Sequence, residues 1–123
     1  MNKVLAGLAL AALVVLAPQP LVAHHGWGGY LDEPFEITGT VETPVSTAGP
    51  HAFLRIRVSG ELWNVVLAPP ARTVSAGLKE GIIPVGAQVT AQGHRHRNPR
   101  TLEIKTERLT WNGKLFNVYP DRS

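Results

Sequence analysis

The chain has 123 residues, 44% of them hydrophobic, no cysteine and a formal charge of +3. That length suits one domain with one core, and the missing cysteines exclude a disulfide framework and any thiolate metal site. The small excess of positive charge excludes the dense basic surface of a dedicated nucleic-acid binder.

The first 23 residues follow the three-part pattern of an export signal. Lys3 supplies the positive start, Val4 to Ala17 is uncharged and apolar, Pro18-Gln19-Pro20 breaks any helix, and Ala23 is the small residue at the cut. The apolar run is shorter than the ~20 residues a membrane-spanning helix needs, so the expectation is cleavage after Ala23 and a periplasmic protein without a stable membrane anchor. Residues 24–123 then form a single domain. Removal of residues 1–23 takes away Lys3 and no acid, leaving eleven basic against nine acidic side chains.

Residues 24–34 read as a glycine-rich lead-in with Trp27 and Tyr30 as anchors. Phe35 to Glu42 alternates apolar and polar residues, as a half-buried strand does. A loop with Pro, Gly and Ser is expected at 43–50. His51 to Ser59 alternates again, with Ala52, Leu54, Ile56 and Val58 on the core side and His51, Phe53, Arg55 and Arg57 on the other. Ser59-Gly60 turns the chain into a third strand, Glu61 to Ala68. Pro69-Pro70 ends the sheet, and Ala71 to Leu78 is the one helix expected in the mature chain, with Pro70 in its first turn and Gly77 near its end.

A fourth strand is expected over Ala87 to His96, with Val89 and Ala91 inward and Gln92, His94 and His96 outward. Thr101 to Trp111 is a fifth, Asn112-Gly113 is a strong hairpin signal, and Leu115 to Tyr119 is a short sixth. Three strands, a short helix and two strands is the order of the OB-fold, a five-stranded Greek-key barrel. The expected class is therefore mainly β: a small OB-like barrel of five to six strands with one short helix. Closure also removes the exposed strand edges of an open sheet.

Several segments resemble a family of small exported bacterial proteins catalogued as a domain of unknown function. They are Ala23-His-His-Gly26, Thr38-Gly-Thr-Val41, Pro50-His-Ala-Phe-Leu54, Leu67-Ala-Pro-Pro-Ala-Arg72 and, as in a subset of that family, Gly93-His-Arg-His-Arg97. Such relatives usually carry Asn before the Pro-His pair, where this chain has Gly49. The resemblance implies export and a small β-barrel and carries no established activity.

Chemistry-bearing residues are few. Cleavage after Ala23 would make His24 the first residue, joining a free amine and an imidazole that together can chelate a metal. His25 follows, and His51, His94 and His96 complete the set. His94 and His96, at i and i+2, are expected on one strand face. Three nitrogens from His24 and a distal histidine would form a plane suited to Cu(II), with Zn(II) next. Arg95, Arg97 and Arg100 stand close by and oppose a dication. No nucleophile motif and no phosphate-cradling glycine loop is present. The metal candidates are thus His24, His25, His51, His94 and His96, with copper handling or delivery as the implied role. The alternative is a non-enzymatic module that uses Phe53, Arg55 and Arg57 on the barrel face for a ligand or an envelope protein. Neither reading involves nucleic acid, and the oligomeric state stays open.

Overall fold

In the computed structural model, residues 26–122 are described. The expected cleavage site and His24 and His25 lie outside them. The elements are β1 (Phe35–Ser46), β2 (Phe53–Val58), β3 (Glu61–Val66), α1 (Pro70–Ser75), β4 (Gln88–Arg95), β5 (Glu103–Trp111) and β6 (Lys114–Asn117), with a 3-10 turn at Pro120–Arg122. The sheet runs β3-β2-β1-β4-β5-β6, and a parallel β3–β5 pairing closes it. This is the OB order, a closed five-stranded barrel with one extra strand, as the element sequence predicts.

β1 extends four residues further than the alternation predicts. Its pairing with β2 slips between Val41 and Thr43 and again between Thr43 and Ser46. These irregularities carry it through a segment whose composition reads as a loop, and the bend lets one strand pair with β2 and with β4. Both hairpin turns hold positive φ at their two central residues, 49° and 83° at Ser59 and Gly60, 52° and 75° at Asn112 and Gly113. That is the type I′ geometry the Asn-Gly pair favours.

α1 is shorter than the expected Ala71–Leu78. The Gly77 N–H reaches the Val74 carbonyl and the Leu78 N–H reaches the Thr73 carbonyl, a double C-terminal cap with Gly77 in the left-handed region at φ 100°. Leu78 thereby leaves the helix and is fully buried in the barrel. The core also holds Val41, Leu54, Ile56, Trp63, Val65, Ile104, Leu109 and Phe116, so the inward faces of β2 and β4 are those the alternation assigns.

One irregularity governs everything outside the barrel. Along β4 and β5, Gln92 pairs with Arg108 and Gly93 pairs with Thr106, so Glu107 is an extra residue on β5. This bulge restarts the alternation. Leu109 and Ile104 both face the core, while Lys105 and Glu107 are buried on the outside of the barrel. The backbones are tightly apposed there. A Cβ on Gly93 would overlap the Lys105 carbonyl oxygen and crowd the Thr106 Cα.

Gly93→Ala should therefore destabilise the fold by about 3 kcal/mol or more, at or above the upper end of overpacking costs because backbone rather than a side chain must yield. Gly29→Ala, where nothing lies within 4 Å of the added Cβ, should stay within about 0.5 kcal/mol. Urea unfolding of the two variants checks the contrast.

A candidate ligand-binding cleft on the outer barrel face

The outer face of β5 is covered from both ends of the domain. The lead-in is held by backbone bonds from the Leu31 N–H to the Arg95 carbonyl (2.8 Å) and from the Arg97 N–H to the Gly29 carbonyl (2.9 Å). Arg97 Nε adds a bond to the Gly28 carbonyl, and the Tyr30 hydroxyl donates to Glu103. The C-terminal segment is held where the Val118 and Tyr119 N–H groups meet the Glu107 carbonyl. Trp27 joins the two coverings, packing edge-on against Tyr119 at 5.1 Å and against His94 at 5.6 Å. The anchoring roles expected of Trp27 and Tyr30 are those the fold uses.

Cations and aromatic rings alternate beneath this cover. The Arg122 guanidinium lies 3.9 Å from the Trp27 ring centre, and Lys105 Nζ stands 5.3 Å from Trp27 and 5.8 Å from Tyr119. Arg72 lies over Tyr119 at 5.4 Å. Such contacts stabilise a cation by roughly 0.5–2 kcal/mol, more as water is excluded. They do not replace hydrogen-bond acceptors. Burial pushes the Lys105 ammonium below its ordinary pKa, partly offset by Glu103 and reinforced by Arg122. Burial also raises the Tyr119 hydroxyl, against the pull of Arg72 and Arg122.

A cleft of about 380 Å³ opens among these groups, lined by His51, Arg72 and Lys105 together with Gly26, Trp27, Pro69 and Tyr119. Beyond His51 a second groove of about 260 Å³ runs over the loop before β2 and the outer faces of β2 and β3, past Pro50, Phe53, Arg55, Asn64 and Val66. His51 is a wall of both. No acidic side chain lines either one.

The five sequence-derived histidines have different fates. His24 and His25 fall outside the described residues. His51 is half-buried between the two clefts. His94 has both ring nitrogens engaged: Nδ1 lies 2.9 Å from the Leu31 carbonyl and Nε2 lies 2.6 Å from Glu107 Oε1. A carbonyl only accepts, so Nδ1 donates, and Nε2 is hydrogen-bonded to the buried Glu107 carboxyl group. His96 Nδ1 accepts the Asn98 N–H at 3.0 Å, which places the proton of the neutral ring on Nε2. The two rings are covered by different aromatic residues, His94 by Trp27 and His96 by Tyr30. Among the described residues no group of three His, Asp or Glu side chains is arranged to hold a metal.

Lys105, Glu107, Tyr119 and Arg122 carry no motif and are absent from the sequence-derived set. The one signal in the sequence is alternation that fails on β5, where apolar Ile104 and Leu109 stand an odd number of residues apart; the structure buries Ile104 to Glu107 at four successive positions, which requires cover on both faces of the strand.

The profile of a family of unknown function (DUF6152) matches residues 11–105. The chain belongs to that family. The match ends at Lys105, so Glu107, Tyr119 and Arg122 lie beyond it. A comparison with curated proteins finds no match. Among solved structures the barrel is similar to apo TiaS, a tRNAIle2 agmatidine synthetase, at 15% identity and a TM-score of 0.50 over 64% of this chain and 18% of that one. It is also similar to a ZRD-deleted mutant of TiaS in complex with agmatine, at 13% identity and 0.52 over 70% and 26%. This chain therefore spans 18% and 26% of the length of those two chains, and at such identity the likeness is one of fold.

For this family member the site has a measurable electrostatic signature. Burial first, and Lys105 second, hold the His51 imidazole below its ordinary pKa of 6.5. The unfolded chain then binds more protons than the folded one between the lowered value and 6.5, so this contribution to stability is complete above 6.5 and is lost as pH falls through the folded pKa. In Lys105→Met the charge contribution vanishes while burial remains. The His51 titration followed by NMR should move part of the way back towards 6.5.

Proposed function

We propose that the protein is an exported, non-enzymatic binding module that takes an anionic oligosaccharide on the outer face of β2 and β3. One observation carries this reading: the two clefts that meet at His51 present Arg55, Arg72 and Lys105 and no carboxylate. The strand 2–3 face and its neighbouring loops are the surface on which OB-folds bind oligonucleotides and oligosaccharides. Export, expected from residues 1–23, favours the saccharide. Phe53 supports it further, since it offers an aromatic ring beside Arg55, whose guanidinium lies 5.2 Å from its centre. Calorimetric titration with an oligogalacturonate should show binding that a neutral oligosaccharide of equal length does not. Arg55→Ala should weaken it about tenfold, the loss expected for a hydrogen bond to a charged group. Equal binding of charged and neutral sugars, or none, would reject the reading and leave an envelope protein as the occupant of this face.

A second reading is supported by a specific adjacency. Gly26 and His51 line the same cleft, and His24 and His25 directly precede Gly26. Two residues of chain reach up to ~7 Å, which tethers an amine–imidazole pair at His24 to the wall of the cleft that His51 also lines. On this reading the correctly cleaved protein binds one Cu(II) through His24 and His51, with Zn(II) the weaker competitor. His94 and His96 would each have to give up a bond or a proton to join. Copper titration of the mature form, its N-terminus verified by mass spectrometry, should show nitrogen couplings in the electron spin resonance spectrum. An Ala placed ahead of His24, or His51→Ala, should weaken binding tenfold or more, and His94→Ala should not. Equal affinity in all four proteins would remove the reading.

A further inference from the structure

Lys105 is the most unusual side chain in the domain. Only 3% of its surface is exposed, yet its ammonium makes no hydrogen bond and no ion pair among the described residues; its contacts are the faces of Trp27 and Tyr119. An ammonium carries three donors, and a buried charge without acceptors is costly.

The neighbouring carboxylates are committed elsewhere. Glu103 receives the Tyr30 hydroxyl on one oxygen and the Asn64 amide on the other. Glu107 is bonded to His94, and Arg122 Nε approaches it at 3.8 Å. Asp121 reaches only Arg72, at 3.9 Å and largely in solvent. Three cations, Arg72, Lys105 and Arg122, are thus stacked through two aromatic rings; Arg72 and Arg122 each have a carboxylate within 4 Å, and Lys105 has none among the described residues. The cleft of about 380 Å³ opens onto Lys105 with Arg72 and His51 on its other walls.

We propose that this cleft is an anion seat in which Lys105 donates to a single oxyanionic group, a carboxylate, sulfate or phosphate, with Arg72 and His51 at its rim. The proposal deepens the saccharide reading, on which it rests, by naming where an acidic group of that ligand is held. The low pKa that burial imposes on Lys105 agrees with a cation short of acceptors, because an arriving anion restores the stabilisation that water has lost.

The probes are sodium acetate, sulfate and inorganic phosphate, each against chloride at matched ionic strength, with thermal unfolding of the full chain as the readout. At least one oxyanion should raise the midpoint where chloride does not, and which one responds identifies the source of the charge. Lys105→Met keeps the apolar stem and removes the donor, so it should abolish that rise or weaken the apparent affinity tenfold or more. Arg100→Gln, which removes one exposed cation away from the cleft, should keep it. If the Met variant does not fold, wild-type protein labelled with 15N-lysine decides. The Lys105 Nζ resonance should shift on anion addition while those of Lys79 and Lys114 stay in place. A midpoint rise that chloride reproduces, a rise that survives in Lys105→Met, or an unmoved Lys105 resonance would overturn the seat. Oligogalacturonate separates the two levels of the argument. Small-anion binding without oligosaccharide binding keeps the seat and rejects the saccharide. Oligosaccharide binding at full strength in Lys105→Met keeps the saccharide reading and rejects the seat.

Discussion

The structure outside the barrel depends on the bulge at Glu107. One extra residue on β5, opposite the Gly93 position that no side chain can occupy, restarts the in–out alternation. Were the pairing regular, residues 105, 107 and 109 would share a face, and Lys105 and Glu107 would have to join Leu109 in the core. With the bulge, Leu109 and Ile104 are both inside, and the two charged residues stand together on the outside beside His94. A single register shift thus separates an apolar core from a polar layer on the same strand.

That polar layer explains why the ends of the domain are held where they are. A buried Glu107 needs a hydrogen-bond partner, and His94 supplies one at 2.6 Å. His94 in turn fixes Leu31 through its other nitrogen, and the Glu107 backbone carbonyl accepts from Val118 and Tyr119. Lead-in and tail are tied to adjacent atoms of one network, and Trp27 fills the gap between them. Such a network is stabilising when every member is satisfied and costly when one is not. Lys105 is the member left without an acceptor among the described residues, which sets it apart from His94 and Glu107 although all three lie under the same cover.

The histidines show how far spacing can be trusted. His94 and His96 follow the i, i+2 rule for a strand, yet a shared strand direction did not bring their rings to a common centre, because the lead-in covers each with a different aromatic residue. Their hydrogen bonds come from Leu31, Glu107 and Asn98, and two of those three partners are remote in sequence. His51 took its place through the loop before β2, and its imidazole is governed first by burial and second by Lys105, more than fifty residues away.

The amino-acid sequence determined the barrel. Period-two alternation marked the buried faces of β2 and β4, Pro69-Pro70 and Gly77 bracketed the helix, and Asn112-Gly113 defined a hairpin, because each of these is a local steric or solvation preference that acts within a few residues. It also contained the histidines, the Phe53–Arg55 face and the anchors Trp27 and Tyr30. Only the tertiary structure decided that β1 runs on to Ser46 through its bulges, that α1 stops at Ser75 so that Leu78 can be buried, and that β5 is covered on both faces. Lys105, Glu107, Tyr119 and Arg122 belong to no motif, and their meeting depends on a bulge and on the packing of both chain ends over one strand. Those are long-range packing outcomes, set by what the closed barrel leaves for the rest of the chain to cover, and no pattern confined to neighbouring residues encodes them.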